Sequence, residues 1–176
     1  MTTTVAVADG IFSIEDGQPK LLGSRCTNCG NHMFPRQSGC PKCMFDQQED
    51  VELATTGTLW TWTVQAFPPK SPPYLGPTGD EFVPYGVGYV ELPGQLRVES
   101  RLTESDPDKL IIGMEMELVL DPLCIDDDGT QVVTYAFAPK QPSASEGASS
   151  CAPSQSSGSA CTSAAAPRAS RAWTRA

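Results

Sequence analysis

Residues Arg25 to Cys43 read RCTNCGNHMFPRQSGCPKC, a stretch that carries two C-x2-C pairs separated by ten residues. Each pair can form a tight knuckle that points two sulfurs at one ion. The residues between the pairs suffice for a hairpin that brings the knuckles together. Four thiolates close the tetrahedral shell of Zn²⁺ and leave no position for water or substrate. Cys26, Cys29, Cys40 and Cys43 are therefore the predicted ligands of a structural metal. A mononuclear rubredoxin-type iron site would use the same four residues. A module this small cannot bury a core of its own, so metal binding substitutes, contributing on the order of 10 kcal/mol to its folding. His32 is the one histidine. With four cysteines in place, it is read as a surface or packing residue.

Around this module the charge is uneven. From Lys20 to Cys43 the chain carries Lys20, Arg25, Arg36 and Lys42 and no acidic residue. A Zn²⁺ with four thiolates has a net charge of about −2, so these cations are expected to balance the metal site. The whole chain has a formal net charge of −9. Such a chain is a poor partner for nucleic-acid phosphates, where affinity comes mainly from lysine and arginine. There is no apolar run long enough to span a membrane. The start, MTTTVAVADGIF, lacks the basic and apolar segments of an export signal. The expectation is a cytoplasmic protein in a reducing compartment, where paired C-x2-C motifs bind metal rather than form disulfides.

Composition divides the chain into a lead-in (1–25), the cysteine module (26–50), a strand-rich segment (51–140) and a tail (141–176). In GTLWTWTVQAF, Trp60, Trp62, Val64 and Ala66 alternate with threonines and Gln65. YGVGYVEL and QLRVESRL read as a hairpin across Pro93-Gly94. MEMELVLD sets Met114, Met116, Leu118 and Leu120 against Glu115 and Glu117, and TQVVTYAFA supplies a fifth strand after the DDDG turn. Five strands of this length predict a small closed barrel of the OB type, with a β-sandwich as the competing arrangement. TESDPDKLIIG, Thr103 to Gly113, is expected to hold a short helix. The fold class is thus all-β: a zinc ribbon, a five-stranded OB-fold barrel and an N-terminal lead-in. Alanine and serine make up 20 of the 36 tail residues. That composition cannot bury enough apolar surface to fold, so a disordered tail is predicted, with Cys151 and Cys161 as bystanders.

No catalytic constellation is visible. A Ser-His-Asp or Cys-His arrangement would have to run through His32, beside the metal. Neither G-x-S-x-G nor H-E-x-x-H occurs. Cys124 has no base among its neighbours and is read as buried and inert. Gly86 and Gly88 are read as strand glycines that permit bending or a close backbone approach. FPPKSPPYLGPTGDEFVPY, Phe67 to Tyr85, is too long and proline-rich for a hairpin turn. Phe67, Lys70, Tyr74, Phe82, Pro84 and Tyr85 suit a protein interface or the wall of a ligand channel.

The order LLGSRCTNCG, FPRQSGCPKC, GTLWTWTV, VPYGVGYVEL and LIIGMEMELV resembles the zinc-ribbon/OB-fold family DUF35 over residues 10–139. The resemblance implies an accessory subunit. It would dock on a thiolase-fold enzyme such as a thiolase, a lipid-transfer-protein-like aldolase or hydroxymethylglutaryl-CoA synthase, or on an enoyl-CoA hydratase. The wording is similar to freestanding members from the degradation of aromatic acids or steroids, such as the small subunit of a benzoylsuccinyl-CoA-type thiolase. The family's zinc ligands map onto Cys26, Cys29, Cys40 and Cys43; no catalytic residue carries over. The implied function is support of acyl-CoA binding in C–C bond cleavage or formation, by thiolysis or retro-aldol reaction, within a hetero-oligomer. The CoA thioester would be shared with the partner, and Phe67–Tyr85 would face that passage. The alternative class is a single-stranded nucleic-acid module in which Trp60 and Trp62 stack on bases; the net charge argues against it.

Overall fold

The computed structural model of the chain describes residues 4–70, 74, 76–126 and 128–140. The expected disordered tail, with Cys151 and Cys161, falls on residues 141–176 and lies outside the described residues. In chain order the strands are β1 (Thr4–Ala6), β2 (Phe12–Glu15), β3 (Gln18–Cys26), β4 (His32–Met33) and β5 (Gln48–Glu52). They continue with β6 (Thr56–Gln65), β7 (Tyr85–Glu91), β8 (Arg97–Leu102), β9 (Glu115–Ile125) and β10 (Gln131–Pro139). Gly79–Glu81 form a single 3₁₀ turn. Among the described residues, no helix is long and apolar enough to cross a membrane.

Five strands close on themselves. β6, β7 and β8 form an antiparallel meander, β8 pairs parallel with β10, β10 pairs antiparallel with β9, and β9 returns to β6. The closing pairings make this an OB-type barrel rather than a sandwich. Leu59, Val90, Val98, Leu102, Met116, Leu118, Val133 and Phe137 fill it and are at most 5% exposed. Each such side chain contributes about 1.5–3 kcal/mol when taken from water. At Pro93-Gly94 the chain reverses in a type II turn, with the Gln95 amide bonded to the Leu92 carbonyl (3.1 Å) and Gly94 at φ +67°.

Two expectations fail in the barrel, each for a local reason. Between Leu59 and Thr61 the β6–β7 register slips. This bulge inserts one residue and changes which side chains face inward. Leu59 is fully buried, Trp62 packs against the core, and Trp60 is turned outward, 46% exposed. There the Arg97 guanidinium lies 4.1 Å from the Trp60 ring centre, and Tyr89 meets the ring edge-on at 6.3 Å. The second failure is the helix in Thr103–Gly113, which is a single turn with the Lys109 and Leu110 amides bonded to the Asp106 carbonyl. The Glu104 carboxylate takes the Ser105 and Asp106 amides at 3.0 Å each, and the Asp106 carboxylate takes that of Asp108. Such local bonds compete with a helical ladder. Leu110 alone enters the core; Ile111 and Ile112 stay 67% and 64% exposed.

The lead-in is built of strands. β1 lies parallel to β10, and β2 and β3 form a hairpin over Asp16-Gly17, both at positive φ (50° and 76°) as a type I′ turn requires. The acidic stretch DQQEDVE, Asp46 to Glu52, contains β5, which pairs antiparallel with β3. That pairing also corrects the charge reading. Lys20 reaches Glu15 (2.8 Å) and Glu52 (2.9 Å), Arg25 reaches Glu49 (2.9 Å) and Arg36 reaches Asp50 (2.6 Å). These cations balance carboxylates on β2 and β5. Phe12, Leu21 and Leu53 belong to the same core cluster as the barrel side chains. Phe12 and Phe34 meet Tyr135 of β10 edge-on at 5.9 and 5.7 Å.

The strand glycines mark close backbone approaches. A Cβ on Gly88 would stand 2.7 Å from the Thr61 carbonyl oxygen and 3.1–3.2 Å from Leu102 and Leu59. Gly88→Ala is expected to lower the unfolding free energy by about 1–3 kcal/mol, as overpacking does. Urea denaturation checks this, and an unchanged midpoint would contradict the contact.

Candidate metal centre and adjoining surface

Two knuckles with matching hydrogen bonds present the four cysteines. In the first, the Gly30 amide donates to the Cys26 carbonyl and the Cys26 amide to the Asn31 carbonyl, both at 2.9 Å. In the second, the Met44 amide donates to the Cys40 carbonyl and the Cys40 amide to the Phe45 carbonyl, again at 2.9 Å. β3 ends on the first ligand, and β4 pairs back onto β3 to turn the chain toward the second knuckle. The residue after each pair needs a left-handed backbone. Gly30 sits at φ +70° without strain; Met44 holds φ +61° with a side chain.

The sulfurs lie across from one another. Cys26 Sγ is 3.6 Å from Cys43 Sγ, Cys29 Sγ is 3.6 Å from Cys40 Sγ, and all four lie within 4.8 Å of one another. This is too far for a disulfide. It fits four ligands at about 2.3 Å from one tetrahedral ion, which places sulfurs about 3.8 Å apart. Cys26 and Cys40 are buried, and with Met33, Cys29, Cys43 and Phe45 they form a small cluster of their own. His32 stands opposite Arg25 in the β3–β4 pair, outside the sulfur group.

The thiols are electrostatically unequal. The Asn28 side-chain amide, 3.6 Å from Cys43 Sγ, and the Phe45 amide draw the Cys43 thiol down to about 6. The Asn31 amide pulls the Cys29 thiol down too, but burial and hydrogen bonds with the other three sulfurs outweigh it and raise it to about 11. The metal-free cluster thus holds protons that a dication would displace. Asn28 and Met44 are residues the sequence reading passed over. The C-x-N-C-G spelling around Asn28 was the available signal.

The six residues expected at a partner or ligand channel differ in exposure and contacts. Phe67 is 70% exposed, and Lys70 and Pro84 also face solvent. Phe82 packs edge-on to Tyr85 at 6.0 Å, and the Arg101 guanidinium lies 3.9 Å from the Tyr85 ring centre. Arg101 Nε in turn donates to Asp121 (2.7 Å). Tyr74, Pro77, Val83, Tyr85, Arg101, Pro122 and Leu123 line a cleft of about 170 Å³ here. Arg101 neighbours Tyr85 across the β7–β8 hairpin and was within reach of the sequence, whereas Asp121 was not legible because β9 comes beside Arg101 only through barrel closure. Of the two tryptophans offered for base stacking, Trp62 packs on the core and Trp60, though exposed, carries the Arg97 guanidinium against its ring.

Met44→Gly is expected to raise the stability of the zinc-loaded chain by about 1 kcal/mol, by removing the left-handed penalty at the knuckle. Thermal denaturation with metal content held constant is the check. A lower transition temperature would show that the Met44 side chain contributes to folding.

Family models match residues 17–49 as the ChsH2 rubredoxin-like zinc ribbon domain and residues 50–121 as the ChsH2 C-terminal OB-fold domain. The chain is 31% identical over 121 residues to a DUF35 domain-containing scaffold protein of Methanocaldococcus jannaschii, spanning 68% of this chain and 81% of that one. It is 33% identical over 123 residues to the benzoylsuccinyl-CoA thiolase subunit BbsA of Thauera aromatica, spanning 69% and 78%. The solved structure of an Ltp2-ChsH2(DUF35) aldolase is 32% identical and covers 68% of this chain and 84% of its own, with a TM-score of 0.48. With a four-sulfur ribbon, a five-stranded barrel, family models over both and a DUF35 relative 31% identical over 121 residues, the chain belongs to the DUF35 family of zinc-ribbon/OB-fold proteins.

Proposed function

We propose that this chain is a non-catalytic subunit that docks on a thiolase-fold enzyme and supports the binding of its CoA thioester during C–C bond cleavage or formation. The observation that carries the reading is the match to a thiolase subunit over 123 residues. Cys26, Cys29, Cys40 and Cys43 hold a structural zinc, which supplies folding energy and offers no open coordination position. The ribbon and lead-in pack on the barrel through Phe12, Phe34 and Tyr135, so the metal fixes one orientation of the two parts. The cleft beside Tyr85 and Arg101, about 170 Å³, is smaller than a pocket that encloses a ligand of drug size, about 300 Å³ or more. In this reading a CoA thioester is shared with the partner. Phe67, Lys70, Tyr74, Phe82, Pro84 and Tyr85 lie on the side that meets the partner and its acyl chain.

Two outcomes are expected. A tagged full-length chain should co-purify from its own cells with a thiolase-fold protein, and activity on a CoA thioester should require both. Full activity of the isolated chain, or recovery of no such protein, would sink the reading. Separately, Cys40→Ser should lose the metal and the cooperative unfolding transition together, a destabilisation on the order of 10 kcal/mol for the ribbon. A metal-free variant that unfolds like the parent would contradict a structural zinc.

A further inference from the structure

One stretch of the barrel wall has a neighbour on one side only. β6 pairs with β7 along its length, but with β9 only at Thr56–Thr58. Leu59 exchanges backbone bonds with Met114 (2.9 Å) and Gly113 (2.8 Å), which ends contact on that side. From Thr61 to Gln65 the backbone groups that point away from β7 meet no other strand or loop among the described residues. Side-chain exposure agrees. Trp62 and Val64 face Gly88 and Gly86 across the pair and are only partly buried, whereas Leu59 and Val90, one step back, are fully buried.

An unpaired strand edge is usually guarded by charge or proline. Among the other edge strands, β5 carries Glu49, Asp50 and Glu52. Thr61-Trp62-Thr63-Val64-Gln65 carries no charge and no proline, and its residues favour strands. Unmet amides and carbonyls at strand spacing are completed by an extended peptide. A second copy of this chain brings another net charge of −9 to the contact, which opposes it. The edge also leads directly into Phe67–Tyr85, the segment assigned above to the partner.

We infer that Thr61–Gln65 receives an extended, uncharged or basic segment of the catalytic partner, adding a strand to the barrel beside β6. The inference rests on the accessory-subunit reading. Five residues give a contact about 17 Å long, and the outward backbone groups of the edge pair with the incoming segment. Its alternate side chains meet Trp62 and Val64.

Amide hydrogen exchange of the full-length chain, free and in complex with the co-purified thiolase-fold subunit, tests this. The expected result is at least tenfold slower exchange at Thr61–Gln65 in the complex. Thr63→Lys, at an exposed position on the edge, should keep the circular dichroism and zinc content while weakening the complex about tenfold, the equivalent of about 1.4 kcal/mol. A complex that forms while Thr61–Gln65 exchange as in the free chain would overturn the edge and leave the accessory-subunit reading intact. Protection that appears in the free chain and grows with its concentration would assign the edge to a second copy instead. Failure to form any complex removes both.

Discussion

Strand β3 couples the two halves of this protein. Leu21 lies in the barrel-side core with no exposed surface, and Cys26, five residues further on, is buried among the sulfurs. One extended strand spans that distance in about 17 Å, with β2 and β4 along one side and β5 along the other. Whatever fixes Cys26 therefore also fixes where Leu21, and the Phe12 paired with it, enters the barrel core. The metal is remote from the barrel core, yet the strand is too stiff for the two to settle independently.

The surface follows the same division. On the ribbon side the charges are closed in pairs between β2, β3 and β5. On the barrel side, ion pairs such as Arg97–Glu91 and Lys109–Glu104 are interspersed with exposed aromatic and aliphatic groups: Trp60, Phe67, Val83, Tyr89, Ile111 and Ile112. Apolar groups exposed in number characterise contact surfaces. The arrangement suits a protein whose ribbon sets the shape and whose barrel makes the contact.

Much of this could be read from residue order. The C-x2-C pairs gave the four-sulfur cluster, because knuckle geometry is local. The alternation of Met114, Met116, Leu118 and Leu120 placed β9 correctly, and Pro93-Gly94 placed its turn. The errors arose where a long-range partner decides. DQQEDVE becomes a strand because Lys20 and Arg25, more than twenty residues away, meet its acids across β3. Trp60 faces out because of one inserted residue, which period-two counting does not register. Asp16-Gly17 is a different case, since its hairpin signal stood in the sequence and was overlooked within a segment treated as a lead-in.

The turn at Pro93-Gly94 has one more contact, and it bears on how the molecule can be engineered. Gln95 Oε1 accepts the Ala54 amide at 2.9 Å, so the tip of the β7–β8 hairpin holds the segment that joins ribbon to barrel. Hairpin tips are usually the places where a fused peptide or reporter is tolerated. Here such a graft would pull on the joint between the two modules. The β9–β10 turn, closed on itself by the Asp126 and Thr130 backbone bond of 2.9 Å, is the better place for an insertion.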